Sequence, residues 1–127
     1  MKTMIASGPV IIEDNKILLD KEQKSYGITN WLFPGGKKEG NETPKETCIR
    51  EVKEELDIEI EIIKQLSTIE REKDGTYWTL HHFLAKRIGE IKIGDGVVEY
   101  GWFDIDNLPD DCSPNVYKII EEYKNML

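Results

Sequence analysis

The sequence predicts an α/β (α+β) fold in which a mixed β-sheet is sandwiched between α-helices. Three observations carry that expectation: apolar residues alternate with period two along much of the chain, two segments open with strong helix-start signals, and strand-like runs stand before, between and after them. With 127 residues, no repeat and no Pro/Ser-rich linker, residues 1–127 are expected to form a single domain.

The elements follow in chain order. Met4 to Ile12 and Lys16 to Asp20 read as a hairpin, because Asp14 and Asn15 between them are good turn formers. Lys21 to Asn30 is polar and reads as a loop, ending at Trp31-Leu32-Phe33 and then Pro34-Gly35-Gly36. Thr43-Pro44-Lys45-Glu46 starts a helix: Thr43 caps the free amides, Pro44 fits the first helical position, and Glu46 completes a capping box. That helix should run from Pro44 to about Leu56, with Cys48, Ile49, Val52 and Leu56 on one apolar arc and Glu51, Glu54 and Glu55 on another. Ile58, Ile60 and Ile62 begin a strand continuing toward Glu70, and a turn at Lys73-Asp74-Gly75 leads to a second strand from Thr76 to Lys86, antiparallel to the first. Ile91 to Ile93 and Val97 to Phe103 are shorter extended segments. A last helix should begin with Ser113 as cap and Pro114 at its first position, turning Val116, Ile119, Ile120 and Tyr123 inward.

Composition narrows the function classes. Hydrophobic residues make up 39% and charged residues 33%, which is too apolar for a disordered chain and too polar for a membrane protein. The start of the chain lacks the pattern of a secretory signal, and Cys48 and Cys112 stand in no metal-ligand or disulfide-framework spacing, so a reducing cytoplasm is the expected location. The net charge of −8, with no concentration of Lys and Arg, disfavours duplex nucleic acid as a partner. An acidic protein still handles a polyanion when divalent cations stand between its carboxylates and the phosphates.

Carboxylates at i,i+3 and i,i+4 on one arc repel each other, so something must offset their proximity. A solvated acidic face with Arg50 or Lys53 pairing locally is the ordinary outcome for a Glu-rich helix. Here a Phe33-Pro34-Gly35-Gly36 loop precedes it, and paired glycines let a carbonyl or a ligand approach closely. Loop carbonyl and carboxylates together make an oxygen-rich site suited to Mg²⁺ or Mn²⁺, and pyrophosphate hydrolysis is chemistry that needs one.

The same residues resemble a known family. Gly36, five residues, Glu42, seven residues, then Arg50-Glu51-Val52-Lys53-Glu54-Glu55-Leu56-Asp57-Ile58 is similar to the Nudix box, G-x5-E-x7-R-E-U-x-E-E-x-G-U with U aliphatic, and Trp31 to Lys37 looks like the loop before it in MutT-type members. The family's final Gly is Asp57 here, and Asp tolerates the left-handed conformation expected there. The resemblance implies a Nudix fold, a metal site of Glu51, Glu54, Glu55 and the Gly36 carbonyl, Arg50 and Glu42 as the groups that steady it, and Glu99, before Trp102-Phe103, as a further metal ligand or general base. It implies a Mg²⁺-dependent pyrophosphohydrolase acting on a nucleoside triphosphate to give NMP and pyrophosphate, with ADP-sugars or dinucleoside polyphosphates as alternative substrates and a non-hydrolysing nucleotide sensor as a rival.

Substrate contacts are less constrained. Phe33, Tyr77 and Trp78 are candidates to stack a base, although most strand aromatics pack in cores. The segment Asp111 to Asn115 corresponds in position to where MutT-like members place polar contacts to the base, and that resemblance makes Asn115 the best candidate there. Lys37, Lys38 and Lys21 are candidate phosphate contacts, and the sequence does not choose among them. His81 and His82 are adjacent in a strand and point to opposite faces, so they do not share a metal. The expected partner is a nucleotide or nucleoside diphosphate-linked small molecule, with no membrane and either a monomeric or a homodimeric chain.

Overall fold

The computed structural model describes residues 1–127 and contains nine strands and two helices. In chain order these are β1 (Lys2–Val10), β2 (Ile12–Glu13), β3 (Lys16–Lys24), β4 (Gly27–Ile28), β5 (Gly36–Lys37), α1 (Pro44–Leu56), β6 (Glu59–Gln65), β7 (Ile69–Lys73), β8 (Thr76–Ile88), β9 (Val97–Asp104) and α2 (Pro114–Asn125). No helix is long and apolar enough to cross a membrane.

The strands form two sheets. One is mixed, in the order β5-β1-β8-β6, with β7 also paired to β8; β1 and β8 run parallel and the other pairs antiparallel. The other joins β2, β3 and β4 and adds β9 along β3. The expected hairpin is therefore only partly right. Ile12–Glu13 does turn through Asp14 and Asn15, both at positive φ, onto Lys16 and Ile17, but β1 leaves at Val10 for the other sheet and lies between β5 and β8. Period-two alternation says which residues share a face and is silent on which strand lies alongside.

Three other expectations need correction. Lys21 to Asn30 is not all loop: β3 continues to Lys24 and returns as β4, with the Glu22 amide donating to Thr29 Oγ1 at 3.0 Å. The strand from Ile58 is two strands, broken at Leu66, whose amide bonds the His82 carbonyl. Ile91 to Ile93 is not extended structure. That stretch is a strap whose Lys92 and Gly94 amides donate to the Leu56 and Glu55 carbonyls, satisfying the open end of α1.

Helix α1 starts as expected, with Thr43 and Glu46 forming both bonds of a capping box. It ends at Asp57 with φ 56° and ψ 35°, the left-handed conformation predicted there. Ile49 is 40% exposed, while Glu55 is buried beside Cys48, Val52 and Leu56. The buried arc is thus rotated toward β3.

Two apolar cores result. Val52 and Leu56 of α1 pack with Ile11, Leu18, Ile58 and Val97, while Val116, Ile119 and Ile120 of α2 pack with Val10, Ile17, Leu19 and Phe33. Tyr123 packs at the margin of the second core. Successive residues of β3 alternate between the two, so Leu18, Asp20 and Glu22 face α1 and Ile17 and Leu19 face α2.

Candidate active site

The start of α1 is held by a guanidinium clasp. Arg50 Nε and Nη2 donate to the two Glu42 carboxylate oxygens at 2.5 and 3.0 Å, Nη2 also to the Lys37 carbonyl at 2.9 Å, and Nη1 to Glu51 Oε1 at 3.0 Å and Glu54 Oε1 at 3.2 Å. Only a planar, multi-donor cation can serve so many acceptors at once. Glu42 also accepts from the Glu39 amide and the Thr47 hydroxyl, and with the Arg50 bond as the largest cause its pKa falls to about 2.

Beyond the clasp the carboxylates pass from exposed to buried. Glu54 is exposed, Glu51 is half-buried with its pKa raised chiefly by burial, and Glu55 is buried. Glu55 Oε1 accepts from the Gly35 amide at 2.7 Å, and the Glu51 carboxyl group stands where a side chain on Gly36 would be. Gly35 itself has φ 140°, open only to glycine, and its Cα lies against Ser7 and Gly8 of β1. The Gly35-Gly36 pair is thereby the surface on which the acidic end of α1 rests.

Two acids that sequence reasoning missed complete this end. Asp20 and Glu22 of β3 present carboxylate oxygens within 4.8 Å of one another and of Glu55, all three residues buried. Asp20 is fully buried and neither of its carboxylate oxygens has a hydrogen-bond partner. Burial is the largest cause holding the Asp20 and Glu55 pKa values above the carboxylate range, with the neighbouring acids adding to it. Glu22 is paired with Lys24 at 3.0 Å. The signal available in the sequence was acids at alternate positions directly after the apolar run Ile17 to Leu19, which puts them on one face of a strand. Orphaned, buried carboxylate oxygens beside Glu51 and Glu55 fit a hard divalent cation, which takes oxygen ligands at such sites.

Glu99 does not join this group. It lies opposite Lys21 in the β3–β9 register, and Lys21 faces away from α1, where it pairs with Asp111 at 3.4 Å. An irregularity between Lys21 and Glu22 turns Val97, not Glu99, toward α1.

A cavity of about 720 Å³ opens on the other side of Gly35 and Gly36. Phe33, Lys37 and Asn115 line it as the sequence suggested. Tyr77 does not: alternation along β8 sends Trp78 and Leu80 to the cavity and Tyr77 to the opposite face, where its hydroxyl donates to Glu70 at 2.9 Å. Lys37 Nζ lies 5.8 Å from the centre of the Trp78 ring. Lys24, Arg71 and Lys73 add positive charge to the lining, against Glu22 and Asp74. Phe33 packs edge-on to His82, with centroids 5.5 Å apart.

Asn115 is fixed in orientation. His82 Nδ1 lies 2.9 Å from the Ser67 carbonyl, which only accepts, so Nδ1 carries the proton; burial lowers the His82 pKa and keeps the ring neutral. His82 Nε2 therefore accepts from Asn115 Nδ2 at 3.0 Å, and Asn115 Oδ1 accepts from Ser113 Oγ at 2.7 Å. Ser113 begins α2 as expected, but its hydroxyl orients Asn115 and makes no cap bond.

The comparisons with known proteins agree with this architecture. The family model described as "NUDIX domain" matches residues 2–123. The chain is 35% identical to an ADP-ribose pyrophosphatase of Methanocaldococcus jannaschii over 94% of its length and 72% of the relative's. It is 34% identical to an 8-oxo-dGTP diphosphatase of Proteus vulgaris over 66% of its length and 76% of the relative's. A crystal structure of a MutT NUDIX hydrolase from Burkholderia pseudomallei superimposes with a TM-score of 0.85 at 28% identity, covering 95% of this chain and 98% of that one. Two sheets between two helices, with the Arg50 clasp and the acidic end of α1 on the glycine loop, form the Nudix fold of a pyrophosphohydrolase. The chain belongs to the Nudix hydrolase family.

Proposed function

We propose that the chain hydrolyses the pyrophosphate bond of a purine nucleoside triphosphate, giving the monophosphate and pyrophosphate, with Mg²⁺ or Mn²⁺ as its cation. One observation carries this reading: Gly35 and Gly36 have the carboxylates of α1 on one side and, on the other, a cavity ending at Asn115, so a base and a phosphate chain have adjoining places. Lys24, Lys37, Arg71 and Lys73 beside the cavity favour the more highly charged triphosphate.

Glu51, Glu54, Glu55 and the Gly36 carbonyl would hold the cation, whose contribution is to neutralise phosphate charge and lower the pKa of a water. Arg50 keeps Glu51 and Glu54 in position through charge-assisted bonds. Glu51 Oε2, which takes no bond from Arg50, is the proton acceptor we assign to the attacking water. Glu99, outside the carboxylate group, has no part in this step. Phe33 and Trp78 bound the base, and Lys37 meets phosphate oxygens.

Asn115 indicates the kind of base. With one N–H given to His82 and Oδ1 already accepting from Ser113, it offers one remaining donor beside one acceptor. Adenine presents such a pair at N6 and N7, an 8-oxo-purine presents it at O6 and N7–H, and unmodified guanine presents two acceptors. ADP-ribose is a second reading, favoured by the relative of that name that matches 94% of the chain. The buried free thiols Cys48 and Cys112 suit a reducing cytoplasm.

The test is phosphate and pyrophosphate release over a panel of ATP, dGTP, 8-oxo-dGTP, ADP-ribose and dinucleoside polyphosphates with Mg²⁺ and Mn²⁺. Turnover of a triphosphate to monophosphate and pyrophosphate is expected. Tight binding of one member with no hydrolysis of any makes the chain a nucleotide sensor and refutes the proposal.

A further inference from the structure

Asp20 and Glu22 are not box residues, and the clasp does not reach them. Their oxygens, with those of Glu55, lie within 4.8 Å of one another between β3 and α1. Three carboxylates in so small a buried volume have one cation nearby, Lys24, which takes only Glu22. Both Asp20 oxygens are without a donor. A second, independent orphan stands on the other wall: Ser7 Oγ is buried and unpartnered. Ser7 stands four residues before Ile11 of the α1 core, which follows directly on β1, so its hydroxyl faces α1 too, and it pairs in register with Gly36. A hydroxyl and a carboxylate left bare in a packed interior each forgo a hydrogen bond, which native folds seldom accept without a ligand to take their place.

We propose that Asp20, Glu22 and Glu55 form an inner divalent-cation site, walled by the Ser7 hydroxyl and distinct from the outer position served by Glu51 and Glu54. Glu55 would belong to both sets, so the two sites would share one residue at the end of α1. The donor set is all oxygen, which selects Mg²⁺ or Mn²⁺ over softer metals. The site is built into β3: the Thr29 hydroxyl accepts from the Glu22 amide, and the register irregularity beside Lys21 aims the strand's end at α1. The proposal rests on the hydrolase reading only through the role given to Glu55.

The experiment titrates the nucleotide-free protein with Mn²⁺ and counts bound ions by the electron paramagnetic resonance of free Mn²⁺. Wild type should bind one more Mn²⁺ per chain than Asp20→Asn or Glu22→Gln. Glu54→Gln should keep the inner ion. Asp20→Asn retains shape and removes an unpartnered buried acid, so its melting temperature in EDTA should equal or exceed that of wild type, while the rise produced by Mn²⁺ shrinks. Equal counts and affinities in wild type and both β3 variants would overturn the proposal. Because no substrate is present, loss of one ion in these variants upholds the inner site even if no nucleotide is hydrolysed, and hydrolysis with unchanged counts upholds only the enzyme.

Discussion

Replacing Asn115 by Leu tests how the base is read, because it removes the donor and the acceptor together while keeping side-chain size. A two-bond match to a purine edge contributes about 1–3 kcal/mol of discrimination, so kcat/KM for the preferred triphosphate should fall by roughly 5- to 150-fold. dGTP, which makes at most one of the two bonds, should lose less. His82→Leu leaves Asn115 in place but frees its amide to turn, since only Ser113 still holds it at 2.7 Å. One neutral hydrogen bond contributes about 0.5–1.5 kcal/mol, which predicts a loss of roughly 2- to 12-fold and a narrowed preference between purines. The assay is kcat/KM for ATP, 8-oxo-dGTP and dGTP in each variant, with base-free ribose triphosphate as the control. If Asn115→Leu lowers all four equally, the residue shapes the fold of the cavity and reads no base, and the purine assignment fails.

Four further outcomes are expected. Glu54→Gln should lower kcat by more than about a hundredfold with an unchanged melting temperature, because Glu54 is exposed and contributes nothing to the apolar cores; retention of a tenth of the wild-type rate at saturating Mg²⁺ excludes it from the chemistry. Glu99→Gln should leave kcat, KM and Mn²⁺ affinity near wild type, since its strand position faces away from α1, and a large kcat loss would show that β9 shifts when substrate binds. At Asp57, φ 56° resists a β-branched side chain, so Asp57→Val should destabilise by more than about 1 kcal/mol and Asp57→Gly should be neutral or stabilising; equal melting temperatures contradict this. In EDTA the protein should melt lower at about pH 8 than at about pH 5, because Asp20 and Glu55 ionise near pH 4 when unfolded but resist ionising in the fold, so stability falls as pH rises from there. Glu42 acts in the opposite sense: its pKa of about 2 gives stability present above the ordinary carboxylate range and lost as pH falls toward 2. Saturating Mn²⁺ should remove the neutral-pH deficit, and a flat apo profile would mean the buried acids ionise freely.

The local signals in the sequence were read well because their causes are local. Thr43, Pro44 and Glu46 start α1, Asp57 ends it at positive φ, and Arg50 lies next to Glu51 and one turn from Glu54. What escaped depended on long-range pairing. That β1 joins β8 rather than β3, that Tyr77 and Trp78 fall in one phase and not the other, and that a slipped register beside Lys21 turns Glu99 away are all decided by the partner strand. Asp20 and Glu22 escaped for a related reason: acids in a strand are ordinarily solvated, and only the approach of α1 buries these two.

Strand β3 is the wall shared by both cores, and its alternation has a bearing on how such chains tolerate change in length. Deleting a single residue between Ile17 and Glu22 would exchange the faces at a stroke, driving Asp20 and Glu22 into the oily α2 side and setting Leu19 against Glu55. No side-chain repacking repairs an inversion of that kind. The turn at Gly89 and Glu90, exposed and outside either core, has no comparable phase to keep. Natural or engineered variation in length should therefore collect in that turn, and β3 should hold its residue count even where its individual letters drift.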